Sequence, residues 1–275
     1  MTRPADEDFH TAFWRAHDAV EARLTASFSE RMVGRADLRP GQRVLDVACG
    51  RGEPTFAIAR AVGAGGSVVA FDTSRGVLTM AEERAVREGV THVTFLHADA
   101  MSFDARSHGP FDAATCRWAL ASMPDPGVVL AHVRTALVPG APFVVAVWAE
   151  PDRVAYHDLP RRILAAYRPL PPVDVDAPGS FRYGDVTRLV ADLRRAGFDV
   201  ETTEEHEVDV FESDDPAAVI AWTLPLGMAP LLESLDAPSR AAWERDFADA
   251  LRAGARSGPF RLGGVSHLVT ARARS

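Results

Sequence analysis

The stretch Arg43 to Thr55, RVLDVACGRGEPT, restricts the architecture of this chain more than any other part of it. An apolar run, Val44-Leu45-Asp46-Val47-Ala48, enters Cys49-Gly50-Arg51-Gly52, and a helix-forming run from Phe56 to Val62 follows at once. That order reads as a buried strand, a tight glycine turn and a helix start. Glycine lets backbone approach a ligand closely because no side chain intervenes. The first turn of a helix presents free amides to a carboxylate or phosphate. The acid inside the strand end, Asp46, points to a polar or cationic ligand and away from a bare pyrophosphate.

The alternation continues downstream. Strands are expected at Ser67–Phe71, His92–Leu96, Phe111–Cys116 and Pro142–Trp148, with helices between them. Thr73 or Ser74 can cap the helix in which Val77, Leu78, Ala81 and Ala85 share a face, and Gly89 can end it. Another helix runs from about Gly127 to Leu137. Alternating strands and helices imply crossover units and a parallel sheet. A helix over Phe9–Met32 precedes this part. After Glu150 the pattern changes to a helix over Val154–Tyr167, a proline-rich loop, a helix over Gly184–Arg195 and a sixth strand to about Phe211. A helical stretch, Pro216–Ala253, and a last strand, Arg261–Ala271, follow. Two of these segments exceed simple connections and are expected to form a cap over the sheet edge. The resulting division is 1–38 N-terminal helical segment, 39–150 ligand-binding core, 151–183 cap insertion, 184–213 core helix and strand, 214–257 second cap insertion, and 258–275 last strand.

Composition removes several classes of function. The net charge of −8 argues against a nucleic-acid partner. No apolar run approaches the length of a membrane span, and the acidic start MTRPADEDFH does not read as a signal segment, so a cytoplasmic protein is expected. Two cysteines, Cys49 and Cys116, cannot build a structural zinc site unaided, and no metal is expected. The chain contains no lysine and no asparagine, as in a GC-rich bacterial genome. That absence excludes a lysine Schiff base, a P-loop lysine and an Asn-Pro-Pro-Tyr motif for methylating exocyclic amines.

In an open parallel sheet, ligands bind beyond the carboxyl ends of the strands, where strand order reverses. Four features fall at such ends: the Asp46-to-Gly52 loop, Asp72, Asp99, and Cys116-Arg117-Trp118. Asp72 lies about twenty residues past the glycine loop, as a ribose-binding acid does in a dinucleotide fold. The NAD fingerprint is incomplete, because Thr55 stands where its third glycine belongs.

On these residues the chain resembles class I S-adenosylmethionine-dependent methyltransferases. It is most similar to the ubiquinone/menaquinone-biosynthesis type and its bacterial natural-product relatives. The similarity covers Arg39–Trp148 and extends through Ala196-Gly197-Phe198 to the final strand. It implies an α/β fold: a Rossmann-like, seven-stranded, mainly parallel sheet with helices on both faces, the last strand antiparallel, and an inserted helical cap. It implies that the loop with Asp46, Ala48, Gly50, Arg51 and Gly52 holds the methionine part of the cofactor. Asp72, followed by Thr73, matches the acid on the ribose hydroxyls. Asp99 matches the acid at the adenine amino group, with Ala100 offering its amide and Met101 packing beside the ring. Arg117 and Trp118 match the segment against the methionyl group. The N-terminal helix, with Phe13 and Trp14, would close over the cofactor.

Two departures stand out. Arg51 replaces a common threonine and either pairs with the methionyl carboxylate or faces solvent. Ala121-Ser122 replaces a His-His pair before Met123-Pro124-Asp125, so a catalytic base must come from elsewhere. His157, on the helix after the fifth strand and next to Tyr156, is the first candidate. His206 and His267 lie on late strands that can turn them inward or outward. His132 is expected to be exposed on a helix. His10, His17, His92, His97 and His108 carry no stronger claim. The cap residues Ile163, Leu164, Trp222, Leu224, Leu226, Met228 and Leu231 suit a hydrophobic small molecule. The expected activity is methyl transfer to such a molecule, on oxygen rather than carbon, in specialised metabolism, by a monomer or homodimer. The rivals are a non-methylating reaction such as a cyclisation and a nucleotide-dependent oxidoreductase.

Overall fold

The computed structural model describes residues 9–254 and 258–275. A long helix, α1 (Phe9–Arg35), precedes β1 (Arg43–Val47), α2 (Thr55–Val62), β2 (Ser67–Asp72), α3 (Arg75–Glu88) and β3 (Val93–His97). Next come a one-turn helix α4 (Ala105–His108), β4 (Ala113–Arg117), α5 (Pro126–Ala136) and β5 (Pro142–Trp148). The strand order β3-β2-β1-β4-β5-β7-β6 reverses between β1 and β4, which opens a crevice at their carboxyl ends. Every residue of β5 is buried, as its unbroken apolar run requires of a strand covered on both faces. Asp125 starts α5 by accepting the N–H groups of Gly127 and Val128, with Pro126 in the first turn.

The remaining elements are α6 (Ala155–Leu164), α7 (Val186–Arg195), β6 (Phe198–Ser213), α8 (Pro216–Thr223), α9 (Ala229–Leu232), α10 (Ala237–Gly254) and β7 (Phe260–Ala273). β7 inserts antiparallel between β5 and β6, pairing Val145 with Val269. β6 is the edge strand, and its solvent-facing glutamates blunt it against further pairing. The two stretches outside the sheet pack together: the Trp243 Nε1–H of α10 donates to the Pro160 carbonyl of α6 at 3.1 Å, so they form one cap.

Several element expectations need correction. The helical stretch over Pro216–Ala253 is broken into α8, a short turn at Leu224–Leu226, α9 and α10. Pro225 and Pro230 remove backbone donors, and Gly227 adopts φ 109°, a left-handed conformation suited to glycine. Neither Thr73 nor Ser74 caps α3 through its side chain; the Ser74 N–H donates instead to Asp72 Oδ1. Gly89 does end α3 in the left-handed region. The expected first and fifth segments run partly outside the described residues. Among the described residues, no helix is long and apolar enough to cross a membrane, and no group of three or more His, Cys, Asp or Glu could hold a metal ion.

Candidate active site

The crevice holds a cavity of about 700 Å³, lined by the ends of β1 to β5 and by α1 and the cap. Its floor is the loop after β1. Ala48 and Gly50 both take φ 54°, which turns the backbone sharply beneath the cavity. A Cβ added at Gly50 would meet nothing within 4 Å, so the loop backbone borders open space. Gly52 faces the other way: a Cβ there would stand 2.2 Å from the Phe56 ring, and its φ is 98°. It lies outside the cavity lining and serves the packing of loop on helix.

Asp46 also lies outside the lining. It is fully buried beneath the loop and accepts hydrogen bonds from Thr55 Oγ1 (2.5 Å) and Thr115 Oγ1 (2.7 Å). Burial raises its carboxyl to about 6, against the lowering effect of the two hydroxyls. This corrects its reading as a ligand contact: Asp46 braces the loop from below. Thr55, read from sequence as a departure from a glycine fingerprint, is one of the two partners that make this brace.

Asp72 and Asp99 sit side by side at the ends of β2 and β3, and both line the cavity. Asp72 Oδ2 accepts the Gly50 N–H and Oδ1 the Ser74 N–H, each at 2.9 Å. The carboxylate is thereby fixed between the loop and α3 and keeps lone pairs for two hydroxyls. Asp99 is exposed and organises its own turn, accepting the Met101 N–H at 2.9 Å. Thr73, Ala98, Ala100 and Met101 complete this end.

At the other end α1 crosses the crevice. Arg51 neither faces solvent nor stands free: Nε donates to Asp18 Oδ1 and Nη2 to Glu21 Oε2, each at 2.7 Å, and its guanidinium lies 4.0 Å from the Trp14 ring. Arg117 is buried, which lowers its pKa, and donates to Thr25 Oγ1 at 2.9 Å. Trp118 takes φ 56° and donates from Nε1 to Ser266 Oγ at 2.9 Å. Its ring is stacked between Phe28 (5.5 Å) and Trp148 (4.4 Å). Tyr156 meets Trp148 edge-on at 5.4 Å and Trp222 at 5.8 Å, and Trp222 stacks on Phe211 at 4.9 Å. The result is a rigid aromatic wall at the cap end of the cavity.

No histidine is found among the described cavity-lining residues. His157 packs on Phe181 at 4.4 Å, its Nε2 is buried without a partner, and burial lowers its pKa to about 4. As a candidate base it is corrected by its neighbour. Successive residues on a helix point about 100° apart, and here the cavity receives Tyr156. The Tyr156 phenol has its pKa raised by burial and by the charge of Glu21, and it makes no hydrogen bond among the described residues. His267 is buried against the Gly184 carbonyl, while His92, His97 and His132 lie near the carbonyls of Ala59, Thr73 and Ala100. His206 lies beside Glu204, and His108 stacks on Phe103. His17 packs against Phe13 and Phe211. The side chain of His10 lies outside the described residues. Of the apolar cap candidates, Trp222 and Leu226 reach the cavity; Leu164 and Met228 are buried within the cap. Ile163, Leu224 and Leu231 pack against its core.

Sequence reasoning missed Asp18, Glu21, Trp148 and Ser266. Trp14, Asp18 and Glu21 follow a helical stripe, which could have been read, but nothing local says what that stripe faces.

A sheet of this order with paired acids beside a glycine loop has the arrangement of an S-adenosylmethionine-dependent methyltransferase. The residues present suit that cofactor: the open backbone at Gly50 and the pre-fixed Asp72 carboxylate accommodate a nucleoside, and the volume leaves room for an acceptor. The chain belongs to the ubiE/COQ5 methyltransferase family, which matches residues 22–160. It is 30% identical to a demethylmenaquinone methyltransferase of Anoxybacillus flavithermus over 58% of this chain and 70% of that protein. It is 28% identical to the nocamycin O-methyltransferase of Saccharothrix syringae over 94% of this chain and 95% of that one. An S-adenosylmethionine-dependent methyltransferase of Aquifex aeolicus shares the fold (TM-score 0.53, 18% identity, 72% of this chain and 92% of that one). So does the 4+2 cyclase SpnF (TM-score 0.53, 23% identity, 90% of this chain and 80% of that one).

Proposed function

We propose that this enzyme methylates an oxygen of a flat, hydrophobic, conjugated small molecule in bacterial specialised metabolism. The observation that carries the reading is the aromatic wall of Trp148, Tyr156 and Trp222 opening onto the crevice where the cofactor belongs. The near full-length similarity to an O-methyltransferase supports oxygen as the acceptor. The cofactor, when bound, supplies an electrophilic methyl group. The chain's own work is placement. Asp72 takes the ribose hydroxyls, with Thr73 beside it. Asp99, Ala100 and Met101 frame the adenine. Ala48 and Gly50 offer backbone to the methionyl part, and Trp118 bounds it. The wall holds the acceptor flat and excludes water, and such alignment supplies up to roughly 7–11 kcal/mol of a displacement barrier. Tyr156, its proton retained by burial, donates to the acceptor or to a carbonyl conjugated with it. An acceptor acidified in this way gives its proton to solvent before it is enclosed, reacts as the oxyanion and needs no histidine base. The segments 151–183 and 214–257 act as the substrate cap. The net charge of −8 supports a reading without nucleic acid; a cytoplasmic monomer or homodimer is proposed with it.

The test is incubation with methyl-labelled S-adenosylmethionine and a panel of hydroxylated naphthoquinones and enolised 1,3-diketones, read by mass spectrometry. Methyl ethers are the expected products; label on carbon, or turnover without transfer, overturns the reading. With an active acceptor in hand, Tyr156→Phe lowers kcat/KM about tenfold, the worth of one well-placed hydrogen bond, and leaves S-adenosylhomocysteine affinity unchanged. His157→Ala changes kcat/KM by less than about threefold, because the ring faces Phe181.

A further inference from the structure

The charges that α1 brings to the cavity exceed what is needed to hold a helix on a loop. Trp14, Asp18 and Glu21 all line the cavity from one face of α1. Arg51 spends Nε on Asp18 Oδ1 and Nη2 on Glu21 Oε2. Its Nη1 makes no hydrogen bond among the described residues, nor does Asp18 Oδ2. Glu21 Oε1 has only a long ion contact, 3.8 Å from Arg117 Nη2. The cluster therefore shows one spare guanidinium nitrogen and two spare carboxylate oxygens to the same end of the cavity. Both acids are more than half covered, the Asp18 and Glu21 side chains being 26% and 10% exposed, so a cation meeting them is only partly screened by water. Spare donor and spare acceptors side by side match a group that carries both charges at one carbon: an α-amino acid. The adenosine part is already met by Asp72 and Asp99 at the other end of the cavity, and an apolar acceptor has no charge to place here.

We propose that Asp18 and Glu21 of α1 receive the α-ammonium of the cofactor's methionyl group, while Arg51 offers Nη1 to its carboxylate. The proposal rests on the S-adenosylmethionine reading and goes beyond it by giving the N-terminal helix a direct part in binding. Arg51 then acts twice, fastening α1 and reading the amino-acid head.

The test compares two ligands on the full chain by calorimetry. S-adenosylhomocysteine carries the amino-acid head; 5′-methylthioadenosine keeps the nucleoside and thioether and lacks it. Asp18→Asn and Glu21→Gln should each weaken S-adenosylhomocysteine about tenfold, the scale of one charge-assisted hydrogen bond. Their affinity for 5′-methylthioadenosine should change by less than about twofold. Equal losses for both ligands, or no loss for either, overturn the proposal; equal losses would mean that the acids only hold α1. A measurement without variants guards against misfolding: the unmodified protein should bind the deaminated analogue of S-adenosylhomocysteine about tenfold more weakly than the parent, and equal binding overturns the proposal. A protein that binds none of these nucleosides overturns the cofactor reading itself.

Discussion

Asp72→Ala weakens S-adenosylhomocysteine binding by about a hundredfold, a change of ~3 kcal/mol, while the circular dichroism spectrum stays that of the folded chain. Two losses combine. The carboxylate that would accept the ribose hydroxyls is gone, and charge-assisted hydrogen bonds contribute about 1.5–3 kcal/mol each. The same carboxylate also holds the Gly50 and Ser74 amides at 2.9 Å, so its removal loosens the loop after β1 from the start of α3. Asp99→Ala should cost less, about tenfold, because Asp99 is exposed and ties only its own turn. Titration calorimetry checks both. Unchanged affinity in Asp72→Ala would remove the ribose assignment.

Asp46→Asn makes the chain more stable than its parent at pH 8 by about 2 kcal/mol, and this advantage disappears near pH 4. The folded chain holds the Asp46 proton up to about pH 6, the unfolded chain only to about 3.8. Stability from the neutral carboxyl is therefore fully present below pH 3.8 and is lost as pH rises through about 6. Complete ionisation of the buried group costs ~3 kcal/mol relative to the neutral form. Asparagine avoids that cost and gives up one of two hydroxyl hydrogen bonds, worth about 1 kcal/mol. Denaturant midpoints of both proteins between pH 4 and pH 8 check the trend. A difference that does not vary with pH would mean that Asp46 stays in one protonation state throughout.

The residues that line the crevice at the ends of β1 to β4 were legible in the sequence for a local reason. The start of the glycine loop, Asp72, Asp99 and Trp118 each lie within two residues of a strand's carboxyl end, so strand placement alone brings them to one sheet edge. β5 was read to the residue, because an uninterrupted buried strand has no competing pattern. The cap end of the crevice was not legible, since its contacts are long-range. Whether Tyr156 or His157 enters the cavity depends on how α6 rolls against β7 and α8, and one residue along the helix decides it. The Asp46–Thr115 bond joins neighbouring strands far apart in the chain, and the Arg51–Asp18 pair joins the loop to a preceding helix. Only the breaks in the 216–253 stretch carried a local warning, in Pro225, Gly227 and Pro230.

The Phe28–Trp118–Trp148 stack draws its rings from α1, from the residue after β4 and from β5. Each indole or phenyl is a slab of fixed thickness, so the stack works as a spacer between three parts of the backbone. Shortening Trp148 removes one slab, and Tyr156 and Trp118 on either side are anchored elsewhere, Tyr156 by Trp222 and Trp118 by Ser266. The gap then stays open as a slot in place of closing up. On the function proposed above, variation at this one ring retunes which flat molecules enter, while the end of the crevice at Asp72 and Asp99 keeps its shape.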